Sequence, residues 1–154
     1  MLSKEARKDW NASFWAGFKN HMRGAVSSSG RRVNWVHYPT QVKNTYLRMV
    51  CQGNYIALCY DIQFKDKAIQ SIFWEQLCEL KVVMEKSMST ETFWDETFES
   101  EENLKIGRVS WQLQNRNYYN REDWPFIYAF FKKHLLEFDD FYQQFNEILI
   151  TLVD

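Results

Sequence analysis

Apolar side chains recur at helical spacing in three stretches of the chain, and alternate with polar ones between them. Trp10, Phe14, Phe18 and Met22 stand four residues apart with Trp15 alongside. This predicts a helix from about Ser3 to Met22, stopped by Gly24. Ile69, Ile72, Phe73, Leu77, Leu80 and Met84 form a second stripe, for a helix from Lys67 to about Met88 that Asp66 can cap. Ile127, Phe131, Leu135, Phe138, Phe141, Phe145 and Ile148 form the third, running to about Leu149. It opens in "NREDWP", where Glu122 and Asp123 suit the positive end of a helix and Pro125 fits the first turn.

Between the helices the period shortens to two. "VNWVHY" predicts a short strand with Val33, Trp35 and His37 on one face. "TYLRMVCQGNYIALCYDIQF" predicts a hairpin turning at Gly53-Asn54. Pairing Gln52 with Tyr55 sets Cys51 opposite Ile56, Met49 opposite Leu58 and Leu47 opposite Tyr60, all on one apolar face. Tyr46, Arg48, Val50, Tyr55, Cys59 and Asp61 take the other face. A one-residue slip would scramble both, so the pattern fixes the register. It also places Cys51 and Cys59 on opposite faces, where they cannot form a disulfide. Two more strands are predicted near 92–98 and 104–113 around the acidic turn "ESEEN". The order α-βββ-α-ββ-α describes an α+β domain, a mostly antiparallel sheet packed by helices, over residues 1–154 as one domain.

Composition sharpens this in two ways. Twelve Phe, eight Tyr and seven Trp imply either an aromatic core or an aromatic binding patch. Net charge is only −1, but residues 1–67 carry eleven Lys/Arg against four Asp/Glu, and the remainder eight against sixteen. Halves of +7 and −8 suggest a basic binding face, head-to-tail association, or halves that complement one another within the fold. The sequence shows no spanning apolar run and no apolar leader, which points to a cytoplasmic protein without membrane contact.

Three segments, "NWVHYPTQVKNTYLRM" (34–49), "IFWEQLCELK" (72–81) and "NREDWP" (120–125), resemble the bacterial family catalogued as domain of unknown function 4268, in its short stand-alone form. The resemblance implies an α+β domain, bacterial and cytoplasmic. It supplies no catalytic residue, because no activity is established for the family. Some relatives sit behind nuclease-like domains, which implies DNA-linked or defence contexts; this chain has no room for such a partner.

Motifs for chemistry are sparse. A metal nuclease needs acid-x-Lys on a strand, whereas Glu79-Leu80-Lys81 lies in a helical stripe. There is no G-x-S-x-G elbow, Cys51 falls on an apolar face, and Cys59 sits opposite Arg48, which could lower its pKa, but with no histidine assigned beside it. His21, His37 and His134 are dispersed over three elements, and the acids from Glu91 to Glu102 lack calcium-loop spacing, so neither metal nor cofactor is expected. "GAVSSSGRR" follows a helix rather than a strand, and reads as a mobile connector, not a phosphate loop. One constellation remains. Arg31, Arg32, Trp35 and His37 interleave basic and aromatic groups, and Tyr46, Arg48, Tyr55 and Asp61 share the polar face of the hairpin. With no catalytic set, these eight residues predict a non-catalytic interaction domain that binds a protein partner or a second copy of itself. The alternative is a nucleic-acid-associated accessory factor using the basic N-terminal half. A third reading is an enzyme whose site is assembled from distant residues.

Overall fold

A computed structural model describes residues 2–153. Ser3 caps the first helix, α1 (Lys4–His21), its hydroxyl accepting from the Ala6 N–H at 3.1 Å. Strands β1 (Thr45–Gln52) and β2 (Tyr55–Ile62) form a hairpin, followed by α2 (Lys67–Glu79), α3 (Lys81–Ser87), β3 (Thr92–Glu99), β4 (Lys105–Leu113) and α4 (Trp124–Leu152). The four strands lie in one antiparallel sheet in the order β1-β2-β4-β3. The α+β class expected from the sequence is the observed one.

The hairpin has the predicted register, from Gln52↔Tyr55 through Leu47↔Tyr60 to Thr45↔Ile62. Gly53 takes a φ of 59° at the turn, which a side chain would resist. On the apolar face Leu58, Tyr60 and Ile62 meet Trp111, Val109 and Gly107 of β4. The helices cover this face: Tyr60 and Trp111 both pack on Phe138 of α4. Trp74 of α2 lies on Gly107, where even a Cβ would come within 2.7 Å of the indole.

Several expectations need correction. Residues 33–38 form no strand. The Asn34 side chain accepts from the N–H groups of Val36 and His37 at 3.1 and 3.2 Å, closing a local turn that competes with a ladder. The helix expected over 67–88 is broken at Leu80, whose N–H bonds back to the Leu77 carbonyl at 2.9 Å in a tightened last turn. Its buried stripe uses Phe73, Trp74, Leu77, Leu80 and Met84, while Ile69 and Ile72 are exposed. In α4, similarly, Leu149 is buried and Ile148 exposed.

The "GAVSSSGRR" connector is also held, not free. Asp139, buried in α4, accepts from the Ser27 hydroxyl at 2.9 Å, the Ser28 N–H at 2.7 Å and the Tyr38 hydroxyl at 2.5 Å. At the other end, "DWP" begins a helix as expected. Pro125 falls in the first turn of α4, and the Asp123 carboxylate accepts from the Asn117 N–H at 2.8 Å. Among the described residues no helix is long and apolar enough to cross a membrane.

Candidate functional site

The face of the sheet opposite the helices is ordered by the same register. One row crosses all four strands as Tyr46, Asp61, Arg108 and Asp95; the next runs Arg48, Cys59, Ser110 and Phe93. Asp61 is fully buried although no helix lies over it, because two arginines cover it. Arg108 donates through Nε and a terminal nitrogen at 2.8 and 2.9 Å, and Arg48 donates at 2.8 Å. Arg48 also donates to the Gln63 side chain at 2.9 Å. Each guanidinium lies over a ring, Arg48 over Tyr46 at 4.3 Å and Arg108 over Phe98 at 4.1 Å. The outcome is a ribbon of aromatic, cation, carboxylate, cation and aromatic across the sheet.

This face is a cleft and not a plane. A β-bulge between Asp95 and Phe98 bends the β3–β4 hairpin. Its acidic tip then crosses the sheet, and Glu101 accepts from Gln52 at 2.6 Å, although Gln52 pairs with Tyr55 at one end of β2 and Gly107 pairs with Ile62 at the other. Beneath the bend are two hollows of about 360 and 370 Å³, lined by strand and turn residues and sharing Gln52, Tyr55, Phe98 and Arg108.

Burial sets the chemistry here. It pushes the Cys59 thiol up to about 12, and the neighbouring Arg108 does not reverse this. The Tyr55 phenol is likewise pushed up to about 12, by burial and then by Cys59. Burial alone would lower Arg108, but its bonds to Asp61 overcome that and raise it. Arg48 does act to lower the Cys59 pKa, as expected, but its influence is the smallest of those on the thiol and desolvation outweighs it. Neither thiol nor phenol is poised to lose a proton near neutrality. All three cysteines are free.

A separate groove of about 440 Å³ runs along β1, lined by Thr45 to Val50 on one side and by Trp15, Val36, His37 and Tyr38 on the other. Six consecutive residues of β1 and none of β2 line it, so it follows the free edge of the sheet.

The structure thus divides the eight candidate residues. His37, Tyr46 and Arg48 meet in the edge groove; Arg48, Tyr55 and Asp61 meet in or beneath the cleft. Arg48 belongs to both. Arg31 and Arg32 are exposed but line neither. Trp35 is only 7% exposed and packs on Tyr38, so its ring is not available to a ligand. Arg108, Phe93, Phe98, Gln52 and Gln63 complete the cleft and escaped the sequence reading. The only signal for Arg108, an alternation in "KIGRVSWQL", is uninformative until β4 is known to lie beside β2. Among the described residues no three of His, Cys, Asp and Glu gather as a metal site.

The opposed charge halves do not neutralise one another. Among the described residues the ion pairs are Arg48–Asp61, Arg108–Asp61, Arg116–Asp123 and a 4.0 Å His134–Glu137 approach. None joins a base of the first half to an acid of the second.

The model of the family described as domain of unknown function (DUF4268) matches residues 11–146, most of the chain. The chain belongs to this family. No curated protein and no solved structure matches it. The DUF4268 match runs from within α1 through most of α4, and so includes both the cleft and the edge groove.

Proposed function

We propose that this DUF4268 domain is a non-catalytic protein-interaction domain whose contact surface is centred on β1. The observation that carries the reading is the pair of hollows flanking an edge strand, one along its free edge and one on its helix-free face, with Arg48 in both. Tyr46 stands over this boundary, 39% exposed and stacked by Arg48, which is the aromatic-plus-arginine composition of interface anchors. The non-catalytic part of the reading is supported by the raised thiol and phenol, which offer neither a nucleophile nor a general base near neutral pH.

The rival is nucleic-acid binding through the basic N-terminal half, favoured by the exposed Arg31 and Arg32. Against it, Trp35 is buried, and Glu99, Glu101 and Glu102 line the hollow beside Arg48 and Arg108, where they repel phosphate.

The test places a photo-reactive phenylalanine analogue at Tyr46 in the producing cell, with exposed Val82 on α3 as control. A discrete protein adduct at position 46, weakened by Arg48→Gln and absent at 82, is the expected result. A nuclease-sensitive adduct would transfer the function to nucleic acid. No adduct, or equal labelling at both positions, refutes the reading.

A further inference from the structure

The unpaired edge of β1 carries unused backbone hydrogen-bonding capacity, and its direction follows from the ladder. The Gln63 N–H donates to the Asn44 carbonyl at 2.9 Å, which makes 44 and 63 a bonded pair. Bonded and non-bonded pairs alternate in an antiparallel ladder, so Tyr46, Arg48 and Val50 bond to β2 while Leu47 and Met49 turn their N–H and C=O groups outward. Thr45, the next outward residue, is already occupied. Its N–H donates to the Val42 carbonyl at 3.3 Å, and its carbonyl accepts from the Thr40 hydroxyl at 3.2 Å. Among the described residues no loop or side chain performs the same service for Leu47 and Met49.

Edge strands of this kind are usually blunted by proline, a bulge or a covering segment. The opposite edge, β3, has its bulge. Strand β1 is eight residues long, regular in register and free of proline. What lies beside it is a ledge, formed by Trp15 of α1 and by Val36 and His37, which extends the helix layer beyond the sheet. A strand laid along β1 would bond to Leu47 and Met49. Its alternate side chains would rest on Trp15 and Val36, and the others would lie beside Tyr46 and Arg48.

The lining selects the kind of strand: the groove carries Arg48 and His37 and no Asp or Glu, and the stretch of chain that supplies β1 is basic. From Trp10 to Tyr60 the sequence has no Asp or Glu and six Lys/Arg: Lys19, Arg23, Arg31, Arg32, Lys43 and Arg48. Among the described residues only Arg48 of these six has an ion-pair partner. A second copy of this chain would offer its acidic edge, β3, but the register shift between Asp95 and Phe98 interrupts that strand.

We infer that β1 captures an extended segment of a partner protein by strand addition, and that this segment alternates apolar with acidic residues. The inference rests on the proposed interaction role of β1 and names the binding mode and the partner chemistry.

The experiment uses the full chain and a labelled eight-residue peptide alternating valine and glutamate. Three comparison peptides accompany it: one with the same residues in two blocks, one with lysine for glutamate, and one N-methylated on the amides that would face β1. Anisotropy should show saturable binding below roughly 1 mM. It should weaken with salt, and by about tenfold or more for each comparison peptide, the size of losing one or two hydrogen bonds and the charge match. Amide exchange at Leu47 and Met49 should slow when the alternating peptide is added, with Val82 on α3 unaffected.

Equal binding of the N-methylated peptide, or binding without protection at Leu47 and Met49, overturns strand addition. Equal binding of the lysine peptide overturns the acidic class. Sedimentation showing self-association that the peptide displaces would assign the edge to a second copy and overturn the partner. If no peptide binds while the Tyr46 crosslink persists, this inference fails and the interaction role stands. If both are absent, both fail.

Discussion

Asp61→Asn keeps the shape of the side chain and removes the charge that holds two guanidiniums, so its cost measures how far the cleft floor depends on that carboxylate. The two partners are unequal. Arg108 is 11% exposed in its side chain and bidentate, so uncoupling it leaves a nearly buried cation, a defect of about 3–5 kcal/mol. Arg48 is 39% exposed and solvent screens it, so its bond contributes about 0–1 kcal/mol. Asparagine retains one acceptor, which favours the lower end, about 3 kcal/mol in total. For a chain of 154 residues that corresponds to a fall in Tm of roughly 6–12 °C. Urea unfolding followed by tryptophan fluorescence should report the loss, because Trp111 in β4 lies three residues from Arg108. Arg48→Gln should cost under about 1 kcal/mol and Arg108→Gln about 2–4 kcal/mol. Asp61→Asn combined with Arg108→Gln should cost less than the sum by at least about 1 kcal/mol, the signature of one coupled unit. Asp61→Asn within about 0.5 kcal/mol of the parent, or Arg48→Gln as costly as Arg108→Gln, would refute the reasoning.

Burial lowers the pKa of His134 below the ordinary 6.5, against the Phe130 carbonyl and Glu137. The unfolded chain therefore takes up this proton first. The contribution is complete above 6.5 and declines as pH falls from there towards the depressed folded value, so His134→Gln should flatten that part of a stability–pH profile. Gly107→Ala would set a Cβ 2.7 Å from the Trp74 ring and should cost about 1–3 kcal/mol by urea midpoint, part of it recovered by adding Trp74→Leu. The Tyr60 hydroxyl is buried without a hydrogen-bond partner, although the hydroxyls of Tyr142 and Thr45 lie close enough to perturb it. Tyr60→Phe should then be neutral within about 0.5 kcal/mol or stabilising; a loss above about 1 kcal/mol in calorimetry would show that the hydroxyl is bonded after all.

The β1–β2 register is legible in the sequence because a slip of one residue would move Leu47, Met49 and Leu58 to the polar face, and the two-residue turn at Gly53-Asn54 excludes a slip of two. The α+β class is legible for the same reason, since the period changes cleanly from helix to strand. The "VNWVHY" segment misleads because Val33, Trp35 and His37 alternate as a strand would. The decisive group is the Asn34 side chain, which bonds the backbone locally at a scale that periodicity does not register. Ile69 and Ile72 mislead in the opposite way: they fit the stripe, but Leu80 breaks the helix, and Trp74 takes the place on Gly107. Of the cleft, Arg48 and Asp61 are legible because they are diagonal neighbours on one hairpin. Arg108 lies 47 positions from Asp61 and enters only through strand order, which β4 acquires by passing between β2 and β3.

The aromatic excess resolves between its two meanings, and the division locates the surface. Trp35, Trp74, Trp111 and Trp124 are buried, while Trp10, Trp15 and Trp94 are half-buried against the core, so the tryptophans serve the interior first, with Trp15 also lining the edge groove. Their polar ends are paired where burial demands it: Trp111 donates to the Thr92 hydroxyl at 2.7 Å and Trp124 to the Tyr118 carbonyl at 2.8 Å. Of the four larger rings left exposed among the described residues, Tyr119 and Phe126 lie around the start of α4, while Tyr46 and Phe93 belong to the helix-free face, on the two edge strands that flank the cleft. A core this rich in rings stabilises the sheet from its helical side alone. The other face then need not carry apolar packing, and the two-arginine clamp on Asp61 ties β1 to β4 across it without a second helical layer. A surface freed in this way can be polar, concave and bordered by an unpaired edge, the combination that places Arg48 at the junction of the cleft and the edge groove.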